Sequence, residues 1–260
     1  MCGRYQIALP GHTLASMFDA TMAAADVQPT WNAAPTQVLP VLALGDDGAL
    51  LLQGARWGLV PTWPRPGAAG AAPSRPLINA RVETVAEKAS FRAAVRHGRI
   101  LVPTTGFYEW SAPADGRARG KVPHAIRVRG PRIDPATGAA SDIEAAPGEP
   151  ASPFLLAGIA APRRLPDGTE ELTYAVLTTE PNELCAPIHD RMPVILDGDD
   201  AQAWLHAPAS ELPLLLDLAR PFPSERMEEW TVSSAVNGAG VDGPQLAVPV
   251  PEELPELRLL

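Results

Sequence analysis

Cysteine is scarce, long apolar runs are missing, and one stretch of the chain is nearly without acid. Only Cys2 and Cys185 occur in 260 residues. Two thiols make no disulfide framework, and no paired Cys-x-x-Cys spacing marks a zinc or redox site. No apolar stretch approaches the ~20 residues that span a bilayer. Met1-Cys2-Gly3-Arg4-Tyr5 lacks the charged-then-apolar layout of a signal peptide, so a cytoplasmic chain with reduced thiols and no membrane partner is expected. There is no Gly-rich phosphate loop and no internal repeat. Strands are not separated by regularly alternating helices, which argues against a doubly wound fold.

Thirty prolines and 21 glycines stand among 46% apolar and 20% charged residues. That composition describes a globular chain with many turns and excludes a long-helix bundle. The net charge of −9 points away from a polyanionic partner, but the charge is segregated. Residues 56–132 hold 14 basic and 4 acidic side chains, a local +10, while the flanking segments are all negative. Lys88 and Lys121 are the only lysines in that block. Arginine's planar fork suits phosphate; a solvated surface is the plainer alternative.

The predicted fold is α+β: a single compact domain with a mainly antiparallel, barrel-like β-sheet and a few short helices. It spans residues 2–238, with a proline-rich acidic tail over 239–260 that is extended or disordered. Val38–Leu44 and Ala49–Ala55 around Asp46-Asp47-Gly48 predict a hairpin. Further strands are predicted at Ile100–Val102, Phe107–Ser111, Val122–Val128, Phe154–Ile159, Thr173–Thr178 and Glu228–Ser233. Thr84 and Glu87 form a capping-box pair ahead of Val85, Phe91, Ala94 and Val95, predicting a helix to His97. Short helices are predicted over Asp199–His206 and Ser210–Ala219. Pro61–Pro76 and Gly130–Ser152 read as loops.

Cys2 is the most informative residue. Loss of Met1 would leave an N-terminal cysteine, whose α-amine is partly neutral near pH 7 and whose thiol sits one carbon away. Such a 1,2-aminothiol condenses with an aldehyde to a Schiff base and closes to a thiazolidine, which an internal cysteine cannot do. An incidental second residue is the alternative. Glu109, within Phe107-Tyr108-Glu109-Trp110, is a carboxylate in an aromatic strand; burial would raise its pKa toward that of a general acid, whereas an edge position would leave it hydrated. His189 lies in Ile188-His189-Asp190-Arg191-Met192-Pro193. Its i, i+4 spacing from Cys185 resembles a ligand pair, but Pro187 intervenes and no second pair exists, so no metal is expected. Asn79, in Ile78-Asn79-Ala80-Arg81, orients the Cys2 amine or a substrate hydroxyl, or simply forms a turn. Trp31, Trp57 and Trp63 are core residues or base platforms, with Trp57 assigned to the core. His12, His97, His124 and His206 read as surface or packing residues.

Together with Met1-Cys2-Gly3-Arg4, Trp31-Asn32-Ala33-Ala34-Pro35 and Arg56-Trp57-Gly58-Leu59-Val60-Pro61, these motifs resemble the SRAP family, the SOS response-associated peptidases or abasic site processing proteins. The resemblance runs in order from residue 2 to about Leu246. It implies covalent capture of abasic sites in single-stranded DNA after Met1 removal, with self-cleavage, weak lyase activity and reversal of the crosslink as accompanying reactions. On this resemblance Cys2, Asn79, Glu109 and His189 are catalytic, and Arg4, Pro35, Trp63, Arg81 and Arg191 contact DNA. The partner is single-stranded DNA carrying abasic sites, no cofactor is needed, and a monomer is expected. Trp63 followed by Pro64 departs from the aromatic pair usual in the family. Two other classes stay open on the sequence: an N-terminal-nucleophile cysteine amidohydrolase and a noncovalent single-strand binding module. Neither gives Glu109 a role.

Overall fold

The computed structural model describes residues 2–23, 27–61, 76–113 and 120–250. Trp63 and most of the predicted 61–76 loop lie outside these residues. In chain order the first strands are β1 (Arg4–Ile7), β2 (Thr21–Met22), β3 (Thr30–Ala33), β4 (Val38–Leu44), β5 (Leu50–Trp57) and β6 (Asn79–Arg81). Next come β7 (Arg99–Thr104), β8 (Gly106–Ser111), β9 (Val122–Val128), β10 (Pro131–Ile133) and β11 (Ala140–Glu144). The last are β12 (Phe154–Arg164), β13 (Glu170–Thr179), β14 (Met192–Pro193), β15 (Ile195–Leu196) and β16 (Met227–Thr231). The α-helices are short: α1 (Gly11–Met17), α2 (Val82–Val85), α3 (Ala94–His97), α4 (Gly198–His206) and α5 (Leu212–Asp217).

Strands β5, β4, β7, β12 and β13 follow one another in that order by antiparallel pairing, and a parallel pairing of β13 with β5 closes them into a barrel. A second sheet runs β16-β9-β8-β1-β3 and packs its apolar face into the same core. The fold is therefore α+β with a barrel-like, mainly antiparallel sheet; the strand pattern predicts the antiparallel α+β class, and the barrel-like form goes with the family resemblance.

Local chemistry explains the predicted hairpin. Gly48 takes φ +79°, open to glycine and costly for other residues, and Asp47 accepts a hydrogen bond from the Ala49 amide at 3.0 Å. Residues 39, 41 and 42 are buried on β4, and Leu44 pairs with Leu50 across the turn. Trp57, with no exposed surface, sits between Tyr5 at 4.9 Å and Tyr174 at 6.3 Å and donates its indole N–H to the Ile78 carbonyl at 2.9 Å. Truncating such a side chain to alanine typically costs ~3–5 kcal/mol. Tyr5 and Tyr174 share one hydroxyl–hydroxyl bond of 2.6 Å. At Gly98 a Cβ would meet the Ala160 carbonyl oxygen at 2.1 Å, so only glycine admits the close approach of α3 to β12.

Three predicted segments differ. The helix predicted from Thr84 to His97 is two one-turn helices separated by turns, and its cap is Arg81 without a side-chain bond. Val85, Phe91, Ala94 and Val95 are all buried as expected, but the six-residue step from Val85 to Phe91 fits two separate turns against the barrel better than one helix face. Gly130–Ser152 is not a plain loop: β10 and β11 pair within it. Residues 239–250 are neither extended nor free, because Leu246 and Ala247 are buried and Leu246 joins Tyr108, Ala125, Val232 and Val236 in a second small core.

Candidate active site

Strand alternation sets the polarity of β8. Phe107 packs into the main core and Tyr108 into the second one, so Glu109 shares the inward face with Phe107. Glu109 is only 3% exposed, and burial raises its pKa; positive charge nearby, including His189, pulls the other way. The buried reading of this carboxylate holds, and the hydrated edge reading does not.

β1 runs antiparallel to β8 with Arg4 opposite Tyr108, bringing the start of the chain alongside Glu109. Cys2 is fully buried. Desolvation, then the negative charge of Glu109, pushes its thiol well above the ordinary range, so the thiol is protonated near neutral pH. β6 lies parallel to β13 and presents Asn79, whose Nδ2 donates to the Cys2 carbonyl at 2.8 Å. Asn79 Oδ1 is buried with no hydrogen-bond partner among the described residues. Asn79 is thus not a simple turn residue. It holds the Cys2 backbone with one end and keeps an acceptor in reserve with the other.

His189 Nδ1 accepts the Arg191 amide at 3.0 Å and also lies 2.9 Å from Asp190 Oδ1. The two contacts exclude one another: the amide needs a bare Nδ1 and the carboxylate of Asp190, 83% exposed, needs an Nδ1–H. Cys2, Asn79, Glu109 and His189, spread over 187 residues of sequence, are therefore linked by a hydrogen bond and by mutual electrostatic influence.

The arginines divide sharply. Arg81 is exposed and Pro35 half-buried in a turn. Arg4 donates to Asn32 Oδ1 and the Val236 carbonyl, each at 2.7 Å, pinning the 236–241 segment through Asn32. Arg191 is gripped by both oxygens of Glu83, at 2.5 and 2.9 Å, and bonds the Thr178 carbonyl. Elsewhere in the basic block Arg56 pairs with Glu171, Arg99 caps carbonyls of the α3 and α4 turns, and Arg127 pairs with Glu228. Three of the block's fourteen cations are thus tied to partners within the fold.

Sequence reasoning missed three neighbours of the site. Cys185, considered from the sequence only for its spacing from His189, is buried with its thiol pushed up to about 12 by desolvation and by the charges of Glu109 and Glu229. Glu83 was not singled out. His124, taken as a surface or packing residue, is the direct cross-strand partner of Glu109. The signal for His124 was present: two successive predicted strands forming an antiparallel pair bring Phe107–Ser111 against Val122–Val128. Among the described residues no cluster of His, Cys, Asp and Glu suits a metal, and no helix is long and apolar enough to cross a membrane.

With this geometry in view, the chain matches the family model described as SOS response associated peptidase (SRAP) over residues 1–239. It is 32% identical over 249 residues to the abasic site processing protein YoqW of Bacillus subtilis (strain 168), covering 95% of this chain and 98% of that protein. It is 31% identical over 242 residues to the abasic site processing protein HMCES of Gallus gallus, covering 88% of this chain and 68% of that one. A crystal structure of a protein from Bacteroides thetaiotaomicron superposes with a TM-score of 0.71 at 23% identity, covering 94% and 96% of the two chains, which speaks to the fold alone.

Proposed function

The chain belongs to the SRAP family, and from that premise we propose that it processes abasic sites in single-stranded DNA by covalent capture on Cys2. The observation that carries the reading is the meeting of the four residues: Asn79 holds the Cys2 carbonyl, Glu109 acts on the Cys2 thiol, and His189 acts on Glu109.

The chemistry follows from the protonation states. Removal of Met1 exposes the Cys2 α-amine. Glu109, whose pKa burial raises, gives a proton to the ring oxygen of the closed abasic sugar as the C–O bond breaks, and takes one back from the anomeric hydroxyl as the aldehyde forms. The amine leads the attack because the buried thiol holds its proton. The resulting carbinolamine loses water, its hydroxyl protonated by Glu109 or His189, to leave a Schiff base. The thiol then adds to that carbon; its proton passes through the Glu109 carboxylate to the nitrogen, and the thiazolidine closes with one water released overall. Asn79 Nδ2 fixes the terminus, and Oδ1 accepts an N–H of the new amine or a sugar hydroxyl. Run backwards, the same groups release the crosslink. A Schiff base that fails to close drives elimination of the 3′ phosphate, the weak lyase activity. His189 is the second acid/base group, and Arg81 and Arg191 contact the phosphates, the latter in exchange for Glu83.

The test is a single-stranded oligonucleotide carrying one abasic site, mixed with the chain and run on a denaturing gel. An adduct that survives denaturation in the wild type and is absent in Cys2→Ala supports the proposal. Its absence in the wild type overturns it: glutamine hydrolysis would then assign an amidohydrolase, and salt-sensitive retention on a native gel a noncovalent binding module.

A further inference from the structure

Beside the Cys2 site lies a second constellation that the capture reaction does not use. On the inward face of β8, β9 and β16, Ser111 Oγ is 2.9 Å from His124 Nε2, and His124 Nδ1 is 2.9 Å from Glu229 Oε2. The ring nitrogens carry the roles that nucleophile activation needs. A carboxylate accepts from Nδ1–H, so the neutral ring turns an unprotonated Nε2 toward the serine hydroxyl. Sheet register builds the arrangement: Ser111 pairs with Val122, two residues from His124, and His124 pairs with Thr231, two residues from Glu229. Three strands thus hold the three side chains, a stiffer mount than a loop. The His124 side chain keeps 14% exposure and Glu229 37%, so solvent reaches the cluster. Glu229 also lines an open groove of about 650 Å³ with Glu183, Glu225, Glu228 and Arg129.

We propose that Ser111, His124 and Glu229 form a second nucleophilic site, a serine triad that takes an acyl donor, an ester or peptide carbonyl, whose substituent reaches the groove at Glu229; Ser111 and His124 do not themselves line that groove. Carboxylates outnumber the single arginine in the groove lining, which favours a donor with positive charge next to the carbonyl. In the reaction His124 Nε2 takes the Ser111 proton as Oγ bonds to the carbonyl carbon. The same proton goes to the departing alcohol or amine as its bond to that carbon breaks. Water, deprotonated by His124, then hydrolyses the acyl-serine and restores the hydroxyl. Glu229 is the positioning residue that fixes the tautomer.

The experiment treats the full chain with a fluorophosphonate carrying a fluorophore, followed by gel imaging and mass-spectrometric mapping of the labelled peptide. One label per chain on Ser111 is expected, lost in Ser111→Ala and roughly 10²-fold slower to form in His124→Ala. Glu229→Gln, which keeps the side-chain shape, slows labelling while leaving the unfolding temperature near that of the wild type. A lysine nitrophenyl ester is expected to be cleaved faster than the glutamate ester. An unlabelled wild type, a label mapped elsewhere, or His124→Ala labelling at the wild-type rate overturns the triad; equal cleavage of the two esters overturns the groove as its subsite. Mapping on the wild type needs no variant to fold. Abasic capture by Ser111→Ala separates this proposal from the one on Cys2, because Ser111 takes no part in that reaction.

Discussion

The floor of the barrel and the rim above it solve the same problem in opposite ways. In the floor, Tyr5 and Tyr174 are fully buried and each hydroxyl finds the other at 2.6 Å, while the Trp57 indole N–H reaches a carbonyl. At the rim, Asn79 Oδ1, Thr178 Oγ1 and Arg191 Nε are buried without partners among the described residues, a carboxylate is held in a site that opposes its charge, and a thiol is kept protonated. Unsatisfied buried polar groups are costly and rare in native proteins, so the three gathered at this rim support the proposed site there; a further one, Glu171 Oε2, lies toward the other end of β13.

This contrast is broken most decisively at Cys2. Cys2→Ala is expected to abolish adduct formation with an abasic oligonucleotide on a denaturing gel, because both nucleophiles depend on that residue. Glu109→Gln comes next, slowing the adduct by roughly 10²–10⁴-fold through loss of proton transfer. The same variant tests the energetics. A carboxyl with a raised folded pKa binds more protons folded than unfolded, so stability falls as pH rises from the unfolded value through the folded one. Glu109→Gln is therefore expected to melt higher than the wild type at pH 8, with the gap closing near pH 4. Each kcal/mol corresponds to about 2–4 °C in a chain of this size. A wild type and variant with parallel pH profiles would contradict the desolvated carboxyl.

The floor is expected to respond in the other direction. Tyr174→Phe strands the Tyr5 hydroxyl and costs about 1–3 kcal/mol by denaturant melt, while Tyr5→Phe with Tyr174→Phe recovers most of it, since both polar groups are then gone. Neither is expected to change the rate of adduct formation. The smallest effect belongs to the rim charge. Burial alone would raise the Glu83 carboxyl, but the Arg191 hydrogen bonds hold it below the usual range, so it is ionised and occupies the guanidinium fork. Glu83→Gln is expected to strengthen single-strand binding a few-fold and steepen its log–log salt dependence by about 0.7, the signature of one added phosphate contact. Fluorescence anisotropy across a salt series reads both.

Much of this was legible before any coordinates. The hairpin at Asp46-Asp47-Gly48, the strand Val122–Val128 and the inward face of Glu109 follow from turn chemistry and period-two alternation, which are local. The capping-box helix failed for a local reason too: Thr84 and Glu87 match the pattern, but the apolar step between Val85 and Phe91 does not, and packing on the barrel divided the segment. The extended or disordered reading of residues 239–250 failed because a proline-rich acidic composition carries no sign that Leu246 enters a core with Tyr108 and Val236.

By itself the sequence determined the chemical vocabulary: a cysteine next to the start of the chain, a carboxylate inside an aromatic strand, a histidine among charges, and the strand periodicity that folds them into an α+β barrel. Only the tertiary structure decided which of these groups meet and in what state. Arg56, Arg99 and Arg127 look equivalent to Arg81 in a list of cations, yet ion pairs and carbonyl bonds tie the first three to partners in the fold while Arg81 faces solvent. Protonation of Cys2 and Glu109, and the His124 relay, depend on desolvation and on distances of a few ångströms between strands remote in sequence. Those quantities exist only once the barrel has closed.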